Sequence, residues 1–441
     1  MRLPSKLPQT SIKLPGLKLS KGGGADVVGL DIQPGFVAAV QARVNGSLVA
    51  ERVATMPLPA DTMRDGEVLD DAALADALRE LFSSSGMPKR VRVGVANQRT
   101  VLRTLELPPV TDRDELAAAV NFMAQEQVPM PLNNAVLDFH PLGVVDTADG
   151  PRQRVVLVAA QRDMIERLLG AVRAAGLTPA GVDLSAFALI RSLYRQDTGQ
   201  DGRVLYLNVD GLTNLAIAEG TVCRFTRVVG SGLEGMASEL AERRGIPLDE
   251  ARKLIAEVDL SVPQLAPEAA AHAEPAAETS EGLADEPAAA DEPMHDAELE
   301  HAPTVELDTE PADQGQGVDD GEAYDFAYES GQTVSAEAPE PAEVPAADVW
   351  AVLDNGVREI SGEVRNSLDF HRSQEGGGEV SHIVLSGAAA EIPGFAEALE
   401  VALRVDVRGE SVAVADGARA QGVRQHRLAV ATGLATSEVS Q

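Results

Sequence analysis

The stretch VVGLDIQPGFVAAV, residues 27–40, starts as an apolar strand, reaches Asp31 near its end and turns sharply through Pro34 and Gly35. An apolar strand followed by a tight turn is typical of folds that hold a nucleotide phosphate with backbone N–H groups. Proline, however, has no N–H to donate. The stretch therefore predicts a buried strand at the start of such a fold, and it leaves open whether the turn still binds phosphate.

The same pattern returns at VLYLNVDGLTNLAI, residues 204–217. In both places an apolar strand meets a polar turn and two more strands follow. The turn between those strands is Asn45-Gly46 in the first copy and Glu219-Gly220 in the second. Helical spacing of apolar residues follows each copy, over 71–86 and over 233–258. Two similar α/β lobes that face each other across a cleft are therefore predicted.

Between the two copies, residues 101–184 alternate strand, helix, strand, strand, helix and strand, which is typical of a compact inserted module. Thr111 is the predicted N-cap of its first helix. The predicted organisation is a disordered basic tail (1–24), the start of the first lobe (25–100), the module (101–184), the first part of the second lobe (185–258), an acidic insert (259–346) and the rest of the second lobe with a closing helix (347–441).

The charge of the chain is concentrated in the insert. The 441 residues carry a net charge of −32, and the segment 259–346 contributes 24 Asp and Glu with no Lys or Arg. Its Ala/Pro/Glu composition predicts disorder. Its aromatic island (Tyr324, Phe326, Tyr328) is either part of a spacer or a short docking motif. The basic tail is either a disordered leader or an arm that contacts an acidic lipid surface, a partner or the insert.

Composition also limits the location and the chemistry of the protein. One cysteine, Cys223, excludes an internal disulfide framework, and the seven histidines show no metal-ligand spacing. No apolar run approaches the ~20 residues that a membrane span needs, and no secretory signal is recognisable. A cytoplasmic protein without nucleic-acid binding is predicted. His140 and His371 are interpreted as satisfied core or rim residues.

Several stretches, in this order, resemble the type IV pilus assembly protein PilM family, an actin-like relative of the cell-division protein FtsA. They are AQEQVPMPLNNAVLDF (124–139), VVLVAAQRD (155–163), AGLTPAGVDLSAFALIRSL (175–193), and RNSLDFHRSQ (365–374) before HIVLSG (382–387). The resemblance runs from about Asp26 to Ser437 and is interrupted by the acidic insert. It implies an actin/Hsp70-like, two-lobed ATPase-type core in which 101–184 forms an inserted SHS2-like subdomain.

The resemblance also implies a function. Members of the family are cytoplasmic scaffolds at the inner face of the cytoplasmic membrane. They bind the N-terminal cytoplasmic peptide of a bitopic pilus protein, PilN, in a groove and link it to the pilus motor ATPases. Membrane contact is expected only through such partners. The alternatives are an FtsA-like filament-forming ATPase and a sugar or acid kinase. The end of the chain, LATSEVSQ, lacks the basic amphipathic helix that is typical of the FtsA class.

The resemblance further implies an ATP cleft with Mg²⁺ near Asp31. The residues that it assigns to this degenerate cleft are Asp31, Gly35, Asn208, Asp210, Gly211, Thr213 and Gly387. Gln33-Pro34 replaces the usual Gly-Ser, Ala38 replaces a cation, and Asn208 stands where the family has Asp. Weak or lost binding of ATP with Mg²⁺ is therefore expected. No nucleophile or acid–base set is recognisable, so the protein is predicted not to be an enzyme.

Overall fold

The computed structural model describes residues 27–45, 47–148, 150–195, 202–261, 346–374, 376–419 and 424–436. The predicted disordered tail lies outside these residues, and so does the predicted insert apart from 259–261 and Ala346. Among the residues described, no helix is both long enough and apolar enough to span a bilayer.

The first lobe is built on a sheet of five main strands. They are β1 (Val28–Gln33), β2 (Phe36–Asn45), β3 (Ser47–Pro57), β6 (Arg90–Val95) and β10 (Thr178–Leu184), in the order β10-β6-β1-β2-β3. β1 is buried along its whole length, as its apolar sequence predicted. It pairs antiparallel with β2 and parallel with β6.

One helix and a small hairpin complete the part of the first lobe that precedes the module. The hairpin pairs β4 (Met63–Arg64) with β5 (Glu67–Val68). Helix α1 (Asp71–Ser85) begins where Asp70 accepts hydrogen bonds from the N–H groups of Ala72 and Ala73, both at 2.9 Å. The apolar face of α1 packs on the sheet, as the spacing of its leucines predicted.

The second lobe repeats this sheet. Its strands are β11 (Arg203–Val209), β12 (Thr213–Glu219), β13 (Val222–Val229), β14 (Val380–Ser386) and β15 (Val407–Gly409), in the order β13-β12-β11-β14-β15. This order corresponds strand for strand to β3-β2-β1-β6-β10, with the same antiparallel and parallel pairings. The repeat predicted from the two sequence copies is therefore a repeat of topology.

Helices cover one face of the second sheet and share its core. They are α5 (Leu233–Arg244), α6 (Leu248–Glu257), α7 (Ala346–Ser373) and α8 (Phe395–Leu403). The single helical stretch predicted over 233–258 is wrong, because α5 ends at Gly245 with φ +63° and Pro247 precedes α6. The first residues of the predicted insert are attached to this lobe, since the Leu260 N–H donates to the Pro393 carbonyl at 2.8 Å.

Two apolar helices lie between the sheets. Helices α4 (Ser185–Leu193) and α10 (Ala429–Leu434) share one core with Phe36 and Val40 of the first lobe and with Val204 and Tyr206 of the second. Short segments preceding α10 also join the first lobe, because β16 (Ala413–Val414), followed by α9 (Asp416–Arg419), pairs with β3. Assigning 185–258 and 347–441 wholly to the second lobe was therefore wrong. Helices that are apolar on nearly every side are buried between two layers.

The inserted module is smaller than predicted. The strands β7 (Val101–Leu107), β8 (Ala135–Thr147) and β9 (Gly150–Gln161) form a separate sheet in the order β7-β9-β8, covered on one face by α2 (Arg113–Gln127). The β-α-β-β-α-β order over 101–184 is as predicted. However, α3 (Arg162–Ala174) belongs to the core of the first lobe and β10 pairs with β6.

The boundary was misplaced because element order alone does not reveal which sheet a strand joins. The predicted cap of α2 was also displaced by one residue. Asp112 is the N-cap, and its carboxylate accepts from the N–H groups of Asp114 and Glu115, both at 2.9 Å. We call the β7-α2-β8-β9 unit the three-stranded subdomain.

Candidate functional site

The first candidate turn joins β1 to β2. Asp31 lies near the end of β1, is 2% exposed, and accepts a hydrogen bond from Gln33 Nε2 at 3.1 Å. Burial, followed by the nearby Asp210 carboxylate, raises the pKa of Asp31 to about 7. The turn itself is Pro34-Gly35, where Gly35 has φ +76°, a conformation that side chains with a Cβ rarely adopt.

The second candidate turn joins β11 to β12 and contains Asp210 and Gly211. Asp210 is 2% exposed, and its Oδ1 accepts from Arg427 Nε at 2.8 Å and lies 2.7 Å from Arg427 Nη2. Burial raises the pKa of Asp210, while the guanidinium of Arg427 acts in the opposite direction. Asn208 and Thr213 are also buried, and in the part of the chain that the structure describes neither Asn208 Nδ2 nor Thr213 Oγ1 has a hydrogen-bond partner.

The third candidate segment follows β14. The Gly387 N–H donates to the His426 carbonyl at 3.0 Å, and Ser386 Oγ donates to the same oxygen at 2.8 Å. A 3-10 helix, Ala388–Glu391, follows at once. The carbonyl of Val209 lies directly against Gly387, because a Cβ there would be 2.3 Å from that oxygen. The three predicted segments are therefore brought together at one end of the two sheets.

A cavity of about 270 Å³ opens between the lobes at this end. Of the seven predicted residues, only Gly35, Asp210 and Gly211 line it. Asp31, Asn208, Thr213 and Gly387 are not among its lining residues. The remaining walls include apolar side chains such as Phe36 and Met56, and charged side chains that each form an ion pair within the protein.

The two turns touch across the cleft. A Cβ on Gly211 would lie 2.3 Å from the Pro34 carbonyl oxygen, so the backbones of the two turns are in direct contact. Gly35 is equally close to the second lobe, where a Cβ would meet Glu234 Oε2 at 2.5 Å. In this arrangement no phosphoryl group fits between Pro34 and Gly211.

The charged residues of the cleft were missed by the sequence analysis. Arg427 lies with its Cζ atom 3.5 Å from the centroid of the Phe36 ring. Arg252 Nε donates to Glu234 Oε2 at 2.9 Å, and Arg424 Nε lies 3.4 Å from a carboxylate oxygen of Glu391. Two of them, Arg424 and Arg427, could have been found from the stretch RQHRLAVATGL (424–434), where two arginines precede an otherwise apolar helix.

These residues do not fit a nucleotide with Mg²⁺. Asp210 already binds Arg427, Ala38 provides no cation, and Pro34 contacts Gly211 where a phosphate would need space. Among the described side chains, no group of three or more His, Cys, Asp or Glu is placed to hold a metal ion.

A second candidate surface combines the first lobe with the three-stranded subdomain. Strand β10 lies at one end of the first sheet, so one of its edges has no strand partner among the described residues. The face of the subdomain sheet opposite α2 carries Leu102, Val158 and Asp138 side by side in register, and none of the three is fully buried. We call the edge of β10 and this face of the subdomain, taken together, the subdomain groove.

Both sides of the subdomain groove carry charge. Partial desolvation raises the pKa of Asp138, and the carboxylate of Asp183 on β10 adds to the shift. Asp183 itself is 2.5 Å from Arg191 Nη2, which also donates to the Gly433 carbonyl at 3.1 Å. The groove is therefore amphipathic, with an apolar centre at Val158 and charged margins.

The histidines only partly match their interpretation. His140 is exposed on β8. His371 on α7 is 3% exposed, yet neither of its ring nitrogens has a hydrogen-bond partner among the described residues, so within that part of the chain it is buried but not satisfied. Its ring lies 6.1 Å from that of Phe225, and burial together with Arg203 and Arg224 lowers the pKa of His371.

Comparison with known proteins gives both a family and a fold. The model of the type IV pilus assembly protein PilM family matches residues 29–263. The chain is similar to the solved PilM-PilN type IV pilus biogenesis complex, with 20% identity, a TM-score of 0.65, and coverage of 94% of this chain and 98% of that one.

Two further solved structures are less similar. The ethanolamine utilization protein EutJ from Carboxydothermus hydrogenoformans has 14% identity and a TM-score of 0.43, covering 92% of this chain and 88% of that one. MreB5 of Spiroplasma citri bound to ADP has 12% identity and a TM-score of 0.43, covering 92% of this chain and 94% of that one.

Two sheets of matching topology around a shared pair of helices, together with the similarity to the PilM-PilN complex, define an actin-like α/β protein, and this predicted fold class is confirmed. The family match covers more than half of the chain. The chain belongs to the type IV pilus assembly protein PilM family, as its sequence stretches predicted.

Proposed function

We propose that the protein is a non-enzymatic scaffold of type IV pilus assembly that binds the N-terminal cytoplasmic peptide of a PilN-like bitopic inner-membrane protein in the subdomain groove. Family membership and the similarity to a PilM-PilN complex support a partner of this kind. In this role the protein reaches the inner face of the membrane through its partner and connects that partner to the pilus motor ATPases.

The observations that carry the proposal are that one edge of β10 has no partner among the described strands and that the subdomain face opposite α2 carries the partly buried Val158 in register with Asp138. An extended peptide adds to a free strand edge through main-chain hydrogen bonds, and pockets on the neighbouring surface select its side chains. The apolar centre at Val158 fits aliphatic residues of the peptide. The carboxylate of Asp138 on the margin fits a basic residue beside them.

The interlobe cleft contributes a second element of the proposal. Its turns touch and its buried carboxylate at Asp210 is paired, so we expect weak or no binding of Mg-ATP and no hydrolysis. Titration calorimetry with Mg-ATP measures this directly. Submicromolar affinity that is weakened by Asp31→Ala would contradict this element without affecting the peptide site.

The peptide site is tested by anisotropy of the labelled N-terminal peptide of the PilN-like protein. Val158→Glu is expected to weaken binding about tenfold or more, because it places a second carboxylate beside Asp138 at the apolar centre of the groove. A point substitution is preferable to removing 101–184, since α3 and β10 belong to the core of the first lobe.

The matched control is Val401→Glu, the same substitution on α8 of the second lobe, where Val401 is 80% exposed. It should leave both the affinity and the melting temperature unchanged. The Val158→Glu variant must retain a cooperative melting transition. Equal peptide affinities for parent, Val158→Glu and Val401→Glu would place the peptide elsewhere on the molecule.

A further inference from the structure

Arg427 connects the two lobes. It lies on a 3-10 helix, Gln425–Leu428, immediately before α10. Its guanidinium binds the carboxylate of Asp210 on the second lobe and stacks on the ring of Phe36 on the first. One side chain therefore contacts both turn regions of the cleft.

The position of Arg427 explains how Asp210 remains buried. A buried carboxylate requires a cation, hydrogen bonds or a proton, because removing its charge from water is costly. Asp210 has Arg427 as its cation, and the Ala388 N–H also donates to it. In a nucleotide-binding cleft a bound metal would balance such a charge. In this chain the guanidinium of Arg427 balances the charge of Asp210.

A second ion pair, between Glu234 and Arg252, also balances a carboxylate in the cleft, next to the first turn. Glu234 lies in the first turn of α5 and binds Arg252, and its carboxylate is packed against Gly35. A helix N-terminus beside a glycine turn is a favourable place for an anion. The Glu234 carboxylate lies at this place.

We propose that the cleft is a nucleotide-independent joint, in which the guanidinium of Arg427 and the carboxylate of Glu234 occupy the places of a metal ion and a phosphate. The joint keeps Pro34 and Gly211 in contact, and with them the two lobes, without any ligand. The closed arrangement of the lobes is thus a constant feature of the protein and not a state that nucleotide selects. This inference concerns the cleft alone and does not depend on the peptide site.

The test compares Arg427→Met with the parent. Methionine keeps an apolar contact with Phe36 but leaves Asp210 buried without its cation. The melting temperature should fall by about 5–10 °C, in keeping with the loss of one partner of a buried pair. Hydrogen–deuterium exchange should increase at residues 34–36 and 210–213. The matched control is Arg358→Met, because Arg358 is 67% exposed and pairs with Asp354 on the same helix.

Two further measurements separate the joint from a ligand site. Arg427→Met combined with Asp210→Asn should recover most of the lost stability, because no buried charge is then unpaired. Mg-ATP at 5 mM should shift the melting temperature of the full-length parent by less than about 1 °C.

Either of two results would overturn the proposal. The first is a rise of several degrees with Mg-ATP that disappears in Arg427→Met, which would make Arg427 a phosphate ligand. The second is an Arg427→Met protein whose melting temperature and exchange equal those of the parent. If Arg427→Met fails to fold, Arg427→Lys serves the same purpose, with a smaller loss expected because lysine keeps the charge but not the forked contact or the stacking.

Discussion

The interlobe cleft and the subdomain groove are both candidate binding regions, but the polar groups of the cleft are paired within the protein and those of the groove are available to a partner. Charged residues of the cleft, such as Arg427 with Asp210 and Arg252 with Glu234, pair within the protein, and its two turns are in contact. The groove has a strand edge without a partner among the described strands and a half-exposed valine beside Asp138. In a joint between lobes the polar groups bind each other, whereas a recognition site leaves polar groups available to bind a partner.

The largest loss of stability is expected when the two turns of the cleft are forced apart, and this tests whether the cleft is a joint. In Gly211→Ala the new methyl group would meet the Pro34 carbonyl, which is backbone and cannot rotate away. We expect a loss of about 1–3 kcal/mol from overpacking, and a fall of about 3–8 °C in melting temperature. Differential scanning calorimetry measures the effect.

Gly235→Ala is the matched control for this prediction. Gly235 lies in α5, and a Cβ added there would have nothing within 4 Å, so alanine should be neutral or slightly stabilising. The peptide affinity of both variants should equal that of the parent. A Gly211→Ala protein that melts with the parent would show that the two turns are not held together.

A smaller effect is expected at the second charged pair of the cleft. Glu234→Gln removes the charge that Arg252 binds while keeping the shape of the side chain. Both side chains are about one-fifth exposed, so the loss should be on the order of 1–2 kcal/mol, or about 2–5 °C. Thermal melting at low and high salt tests this value, and high salt should reduce the difference between variant and parent.

Glu239→Gln provides the comparison for Glu234→Gln. Glu239 pairs with Arg243 one turn along α5, and both side chains are largely exposed. Its effect should stay below about 0.5 kcal/mol. Equal effects at Glu234 and Glu239 would mean that the pair in the cleft contributes no more than an ordinary surface pair.

The smallest effect on stability is expected at His371. Its substitution tests whether a buried side chain without hydrogen-bond partners among the described residues is, for that reason alone, part of a functional site. Burial, Arg203 and Arg224 lower its pKa in the folded protein, so below about pH 6.5 the unfolded chain binds a proton more readily. Stability should therefore be lost as the pH falls through this value. Melting temperatures at pH 7.5 and 5.5 should differ less in His371→Phe than in the parent.

His140→Phe is the control for that comparison, because His140 is exposed on β8. It should leave the difference between pH 7.5 and 5.5 as it is in the parent. His371→Phe should also leave peptide affinity unchanged, since α7 lies in the second lobe. A larger pH difference in His371→Phe than in the parent would contradict the lowered pKa.

Much of the fold could be predicted because local sequence patterns specify where strands, helices and turns form. Strands β1, β2 and β3 lie on either side of the predicted turns at Pro34-Gly35 and Asn45-Gly46, since apolar runs and turn residues define them together. The repeat of β1 and β2 in β11 and β12 was visible for the same reason. The break at Gly245 was missed although Gly245 and Pro247 are both poor helix formers. The cap at Asp112 was missed because threonine and aspartate both favour the N-cap position.

The sequence by itself determined the two lobes, the succession of strands and helices along the chain, the family and the positions of the three candidate segments of the cleft. Apolar periodicity, glycine and proline act over a few residues, so a single chain displays them directly. Only the tertiary structure decided that β10 joins the first sheet, that Pro34 meets Gly211 and that Arg427 reaches Asp210, 217 residues away along the chain. These contacts join segments that are remote in sequence. Their existence depends on how whole sheets and helices pack, which no local pattern records.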